Sequence, residues 1–233
     1  LVARLLGPKL SDPASRITLL LVAAAPASIL ISGFHGNNDP VMIFFVLLSL
    51  YLLERPAPDW VAGIAMGMAV NIKVVPLVFW PAVFLWLPAW RRRFEYFGAA
   101  VVVVVLASTP LIFQEPALLA RKVLGYPSSY GLWGLSRILT ASPAFEPLSN
   151  FFESEGRLFL VATLLGLSAW MNRGPRRTPL FHQIGVLAFA FLTVTPGFGV
   201  QYLAWLVPWI ACLAAGVGAW AATAWTLSSG AFL

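Results

Sequence analysis

The sequence predicts an all-α fold, a polytopic transmembrane helical bundle of about eight helices, some of them short or broken. The first observation is composition: 60% of the 233 residues are apolar, only 10% are charged, and the mean hydropathy is +0.84. A water-soluble domain carries about 45–50% apolar and about 25% charged residues, so this chain is solvated largely by hydrocarbon. The second is the placement of charge. A net charge of +6 would suggest nucleic acid in a soluble protein, but the basic residues sit in short clusters between apolar runs, where they act as orientation signals. The third is punctuation: 18 Pro and 18 Gly are too many for plain spans and predict broken helices.

Allowing about 17–25 apolar residues per crossing, the chain divides in order as follows. A first helix is expected over residues 17–32, after Arg16. A second follows over 40–53, with Asp39 placed to cap it and Pro40 at the first helical position, where a missing N–H costs nothing. Residues 60–90 form one apolar stretch interrupted by Lys73 and, three positions on, Pro76, which predicts two short helices, 60–70 and 74–90, around an outer turn. The next helix, 96–113, contains the β-branched run 101–105, which lipid tolerates. Helices over 157–171, 181–195 and 201–225 complete the set, the last opened by Gln201 and Tyr202 with Trp205, Pro208 and Trp209 behind them. The whole of 1–233 reads as one membrane domain, with 114–156 as an extracytoplasmic loop whose Tyr126, Tyr130 and Trp133 suit it to lie on the membrane. Leu1 to Gly7 resembles the end of a helix, so the chain reads as a fragment. Its single cysteine, Cys212, sits in an apolar run and provides no disulfide or metal pattern.

Placing Arg91, Arg92 and Arg93 in the cytoplasm and alternating from there puts ten basic residues inside and five outside. The outer side then carries residues 33–40 (GFHGNNDP), Asn71 to Lys73, the 114–156 loop and residues 195–202. The chain's unusual polar residues therefore meet on one face. His35, Asn37, Asn38 and Asp39 form a dense group suited to hydrogen bonding a polar head group, although Asp39 has an alternative duty as a cap and His35 could be a solvated loop residue. Lys73 would be costly at mid-bilayer, by roughly 2.5–3.5 kcal/mol, and at the outer turn it is either a snorkelling lysine or a cation for a lipid phosphate. Tyr202, Trp205 and Trp209 fit an aromatic belt; Gln201 does not. There is no phosphate-cradling glycine loop, zinc signature, nucleophile elbow or intramembrane row of charges, which excludes a nucleotide-driven pump.

GFHGNNDP, then GIAMGMAVNIKVVPLVFWP (63–81), then PGFGVQYLAWLVPW (196–209), in that order, resemble the integral-membrane glycosyltransferase C superfamily. The likeness is to its polyprenyl-phosphate-mannose-dependent mannosyltransferases and related bacterial hexosyltransferases. The resemblance implies an extracytoplasmic active site, a polyprenyl-phosphate sugar donor, a lipid or glycan acceptor, and transfer with inversion. It puts Lys73 on the donor phosphate, His35, Asn37, Asn38 and Asp39 around the sugar or phosphate, and Gln201 with Tyr202 closing the pocket. It also implies a catalytic carboxylate in the first outer loop, upstream of where the chain begins. Two roles thus stay open for Asp39, general base or pocket residue; Glu115, Glu146, Glu153 and Glu155 stand behind it as acids. No cofactor is assigned; a divalent cation through Asp39 and a phosphate stays open, and nucleic acid is not an expected partner. The competing expectations are a lipid-linked sugar flippase or membrane transporter, which would predict a repeated half that the sequence lacks, and an assembly subunit that only binds partners.

Overall fold

Residues 37–124, 129–173 and 178–211, with Arg16, Leu20, Ala23, Ala24 and Ile29, are described by the computed structural model of the chain. The expected helix over 17–32 lies almost wholly outside these residues. So do His35, Cys212 and the greater part of the expected helix over 201–225.

Among the described residues the fold is all-α apart from one pair of two-residue strands. Asp39–Leu53 (α1) and Asp59–Ile72 (α2) come first, joined by a short turn. The 3₁₀ segment Val75–Phe79 runs directly into Trp80–Trp86 (α3), so the expected helix over 74–90 is instead a composite that stops at Trp86. Pro76 and Pro81 explain the composite, since each removes a backbone donor and is tolerated only near a helix start, and Pro88 explains the stop, since it holds Leu87 in an extended conformation. Trp90–Gln114 (α4) is longer than expected. Arg91, Arg92 and Arg93 therefore occupy its first turn and are not a loop between helices.

The 114–156 segment, expected as a loop, is mostly structured. It holds Pro116–Leu124 (α5), Ser129–Tyr130 (β1), Gly134–Leu139 (α6) and the opening turns of Glu146–Met171 (α7). Leu180–Val194 (α8), Gly197–Phe198 (β2) and the 3₁₀ segment Val200–Leu206 follow. The last is a 3₁₀ turn where an α-helix was expected. β1 and β2 pair antiparallel, Ser129 opposite Phe198 and Tyr130 opposite Gly197. This ties the 114–156 segment to the chain just before Gln201. Each strand is also anchored within its own segment: Tyr130 Oη donates to the Ser149 carbonyl at 2.9 Å, and Thr195 Oγ1 donates to Gly197 O at 2.8 Å.

The core is formed by α1, α2, the 75–86 composite, α7, α8 and the 200–206 turn, around Met42, Met66, Phe79, Leu164, Ile184, Leu187, Leu203 and Trp205. On the outside of it, α2 packs closely along α4. The cause is a stripe at every fourth residue of α2. Gly63 lies against the Tyr96 carbonyl, Gly67 against Ala100, and Asn71 Nδ2 donates to Val103 O at 3.2 Å and to Gly67 O at 3.1 Å. Small residues four apart let two helix backbones approach closely, which in lipid replaces the missing hydrophobic drive for association. A buried hydroxyl pair, Ser49 Oγ and Tyr96 Oη at 2.9 Å, links α1 to the same helix.

At the other end of α2, Arg92 grips Asp59 with two bonds, Nε to Oδ2 at 2.7 Å and Nη2 to Oδ1 at 2.8 Å. Asp59 also lies in the first turn of α2, where a negative charge complements the helix dipole. Because Asp59 is nearly buried, Arg92→Ala strands a desolvated carboxylate. A loss of about 1.5–3 kcal/mol is expected in thermal unfolding of the purified protein, against no measurable loss for Arg91→Ala, whose partner Glu95 is one helical turn away on the surface.

Among the described residues, α4 is the one helix long and apolar enough to cross a membrane. Its apolar side chains are not covered by the rest of the protein: Phe113 is 82% and Leu106 68% exposed. Four further apolar stretches, Asp39–Leu53, Asp59–Ile72, Val75–Trp86 and Leu180–Val194, are shorter.

Candidate active site

Three segments far apart in sequence meet at one point. α1 supplies Asp39 from its first position, the break after α2 supplies Lys73, and the 200–206 turn supplies Tyr202 and Trp205. Lys73 Nζ forms an ion pair with Asp39 Oδ1. The same ammonium stands 5.8 Å from the centroid of the Tyr202 ring and 5.9 Å from that of Trp205. Asp39 is fully buried, while Lys73 keeps 27% of its side chain exposed.

Local chemistry explains each placement. Lys73 can reach back to α1 because it is the C-cap of α2 in an extended conformation, with Pro76 preventing the helix from continuing. Asp39 is the first residue inside α1, so its side chain is not at the cap position and can pair with Lys73; its backbone N–H donates to Asn37 Oδ1 at 3.2 Å. That corrects the expectation that Asp39 caps α1. Asn38 sits at the N-cap position, exposed, with no side-chain cap bond, and its carbonyl accepts from Met42 N at 3.0 Å. Tyr202 and Trp205 stack face to face, with centroids 4.3 Å apart and planes 25° from parallel. In a 3₁₀ segment residues i and i+3 eclipse, so this stack follows from the turn type; an α-helix would splay the two rings.

Gln201 is half-buried and folds back against Gly199, where a Cβ would lie 2.6 Å from its amide nitrogen. Asn71, which belonged to the expected outer polar group, is spent on the α2–α4 contact. The four reserve carboxylates, Glu115, Glu146, Glu153 and Glu155, are exposed, and none forms an ion pair with Lys73 among the described residues. Trp205 is the addition. Its place in the PGFGVQYLAWLVPW motif, three residues after Tyr202, carried the signal, but an aromatic belt accounted for it equally well until the turn type was known.

Two buried polar atoms here have no hydrogen-bond partner among the described residues: Asp39 Oδ2, an acceptor, and Trp205 Nε1, a donor. Native proteins rarely leave such groups unpaired, since each costs about 1–3 kcal/mol. A hydroxyl-rich ligand satisfies both kinds. The donor set does not suit a resident divalent cation. Asp39 faces an ammonium, and no group of three His, Cys, Asp or Glu side chains gathers among the described residues.

Residues 31–134 match the family model described as mannosyltransferase (PIG-M). No curated protein and no solved structure matches the chain significantly. The matched segment contains Asp39 and Lys73 and stops short of Tyr202. The match supports a glycosyltransferase, specifically a mannosyltransferase, with the sugar donor and acceptor that such an activity requires.

Proposed function

We propose that the chain is a polytopic membrane mannosyltransferase that takes mannose from a polyprenyl-phosphate donor on the extracytoplasmic face and transfers it, with inversion, to a lipid or glycan acceptor. The observation that carries this reading is the Asp39–Lys73 pair under the Tyr202–Trp205 stack, set within the matched segment. Sugar transfer from a lipid phosphate needs a cation for the leaving phosphate and an acceptor for the attacking hydroxyl's proton. Lys73 and the unpartnered Asp39 Oδ2 have those properties. In the transfer, the acceptor oxygen forms a bond to the anomeric carbon from the face opposite the phosphate. Its proton passes to a carboxylate, and the lipid phosphate departs with the electron pair of the broken bond. Asp39 is the carboxylate we assign, with Gln201, Asn37 and Asn38 as further candidate pocket residues; His35, expected beside them, lies outside the described residues. The exposed apolar surface of α4 supports the membrane reading, with 114–156 on the outer side.

The test is transfer in liposomes from labelled polyprenyl-phosphate hexoses to a lipid extract. Wild type is expected to use the mannose donor, and Asp39→Asn to lose at least about 100-fold, the usual scale for a general base. Transfer retained in Asp39→Asn moves the base elsewhere. No transfer from any donor overturns the enzyme reading in favour of lipid translocation.

A further inference from the structure

The three arginines that open α4 are not equivalent. Arg91 pairs with Glu95, and Arg92 with Asp59. Arg93 has no carboxylate partner among the described residues. It is nevertheless held rigidly: its Nε donates to Leu87 O at 2.9 Å, and its guanidinium lies 4.3 Å from the centroid of Phe84 and 4.8 Å from that of Trp90. Its remaining N–H groups have no partner among the described residues. Arg93 lines a groove of about 580 Å³ whose other walls, including Leu77, Phe84, Phe97 and Leu165, are otherwise apolar.

We propose that this groove binds one acyl chain of an anionic glycerophospholipid, with the lipid phosphate on Arg93. A rigid, planar cation without a counter-ion is matched to two phosphate oxygens, which it can bind through parallel hydrogen bonds. An apolar trough leading away from that cation takes a hydrocarbon chain and nothing polar. Arg93 lies in the first turn of the helix that can cross a membrane, which is the depth of lipid headgroups. Arg93 sits beside Arg92, which holds Asp59 at the start of α2, whereas Lys73 follows Ile72 at the other end; the 14 residues of α2 put those ends about 20 Å apart, so the headgroup position on Arg93 is separate from the Asp39–Lys73 pair. The proposal rests on the membrane reading above but not on the assignment of the catalytic site.

The experiment purifies the protein from membranes, reconstitutes it in nanodiscs of phosphatidylcholine with one-fifth phosphatidylglycerol, and measures bound lipid by native mass spectrometry. Wild type is expected to retain phosphatidylglycerol about fivefold over its share of the disc, the scale for one basic residue at an anionic surface. Arg93→Gln should lose that enrichment, and Arg91→Gln should keep it. Leu165→Trp, which fills the groove and leaves Arg93 in place, should also lose it, and it serves if Arg93→Gln does not fold. Equal retention in wild type and Leu165→Trp overturns the proposal, as does an isoprenoid phosphate in place of the glycerophospholipid. Mannosyl transfer plays no part in the readout, so its absence leaves this result standing.

Discussion

Lys73→Met should destabilise the protein by about 3–5 kcal/mol and abolish transfer, while Asp39→Asn should abolish transfer at a much smaller cost in stability. The asymmetry comes from burial. Asp39 is fully buried and Lys73 is partly exposed, so removing the lysine leaves a carboxylate with neither water nor counter-ion. Removing the carboxylate leaves an ammonium that still reaches solvent and keeps the faces of Tyr202 and Trp205. Thermal unfolding in detergent should show the first variant melting lower by on the order of 10 °C, given about 2–4 °C per kcal/mol for a chain of this size. The double variant should recover most of that loss, because no charge then remains buried, and should still be inactive. Recovery of stability without recovery of transfer separates the two contributions of the pair. A Lys73→Met protein as stable as wild type would show that the ion pair does not form.

The second large effect concerns the stripe that joins α2 to α4. A Cβ at Gly63 would collide with the Tyr96 carbonyl, and one at Gly67 would lie 2.7 Å from the Ala100 carbonyl oxygen. Both obstacles are backbone, so no side chain can move aside, and the helices must separate. Gly63→Val and Gly67→Val are expected to cost at least about 3 kcal/mol each, the upper end for overpacking. Because α2 also carries Lys73, the residual folded protein should transfer poorly. Gly98→Ala and Gly166→Ala are the controls: nothing lies within 4 Å of the added carbon, so each should be neutral or gain up to about 1 kcal/mol of helix propensity. Unfolding midpoints for the four variants, measured together, decide the matter. Indistinguishable midpoints would mean that α2 and α4 are not in backbone contact.

Much of this was legible in the residues. Hydropathy and the Gly and Pro content are local properties, so the all-α class and most helix positions follow from them: α1, α2 and α8 lie within two residues of expectation. Lys73 at a break was readable for the same reason, since one charge and one proline in a long apolar stretch have few compatible conformations. The misplaced boundaries are instructive. α4 begins at Trp90 and α7 at Glu146 because charged and aromatic residues are admissible in a helix that emerges from its apolar surroundings, and a hydropathy pattern alone sees only the apolar part.

What the sequence by itself determined is the all-α class, the approximate positions of the apolar helices and the short roster of polar residues that interrupt them. Only the tertiary structure decided which of them meet. That Asp39 pairs with Lys73, that Asn71 is consumed by helix packing, and that Trp205 joins the pair through a 3₁₀ turn are matters of direction and distance between segments. The physical reason is that hydrophobic burial is nearly indifferent to direction, whereas ion pairs, ring stacks and close backbone contacts act over a few ångströms and exist only once the segments are in place.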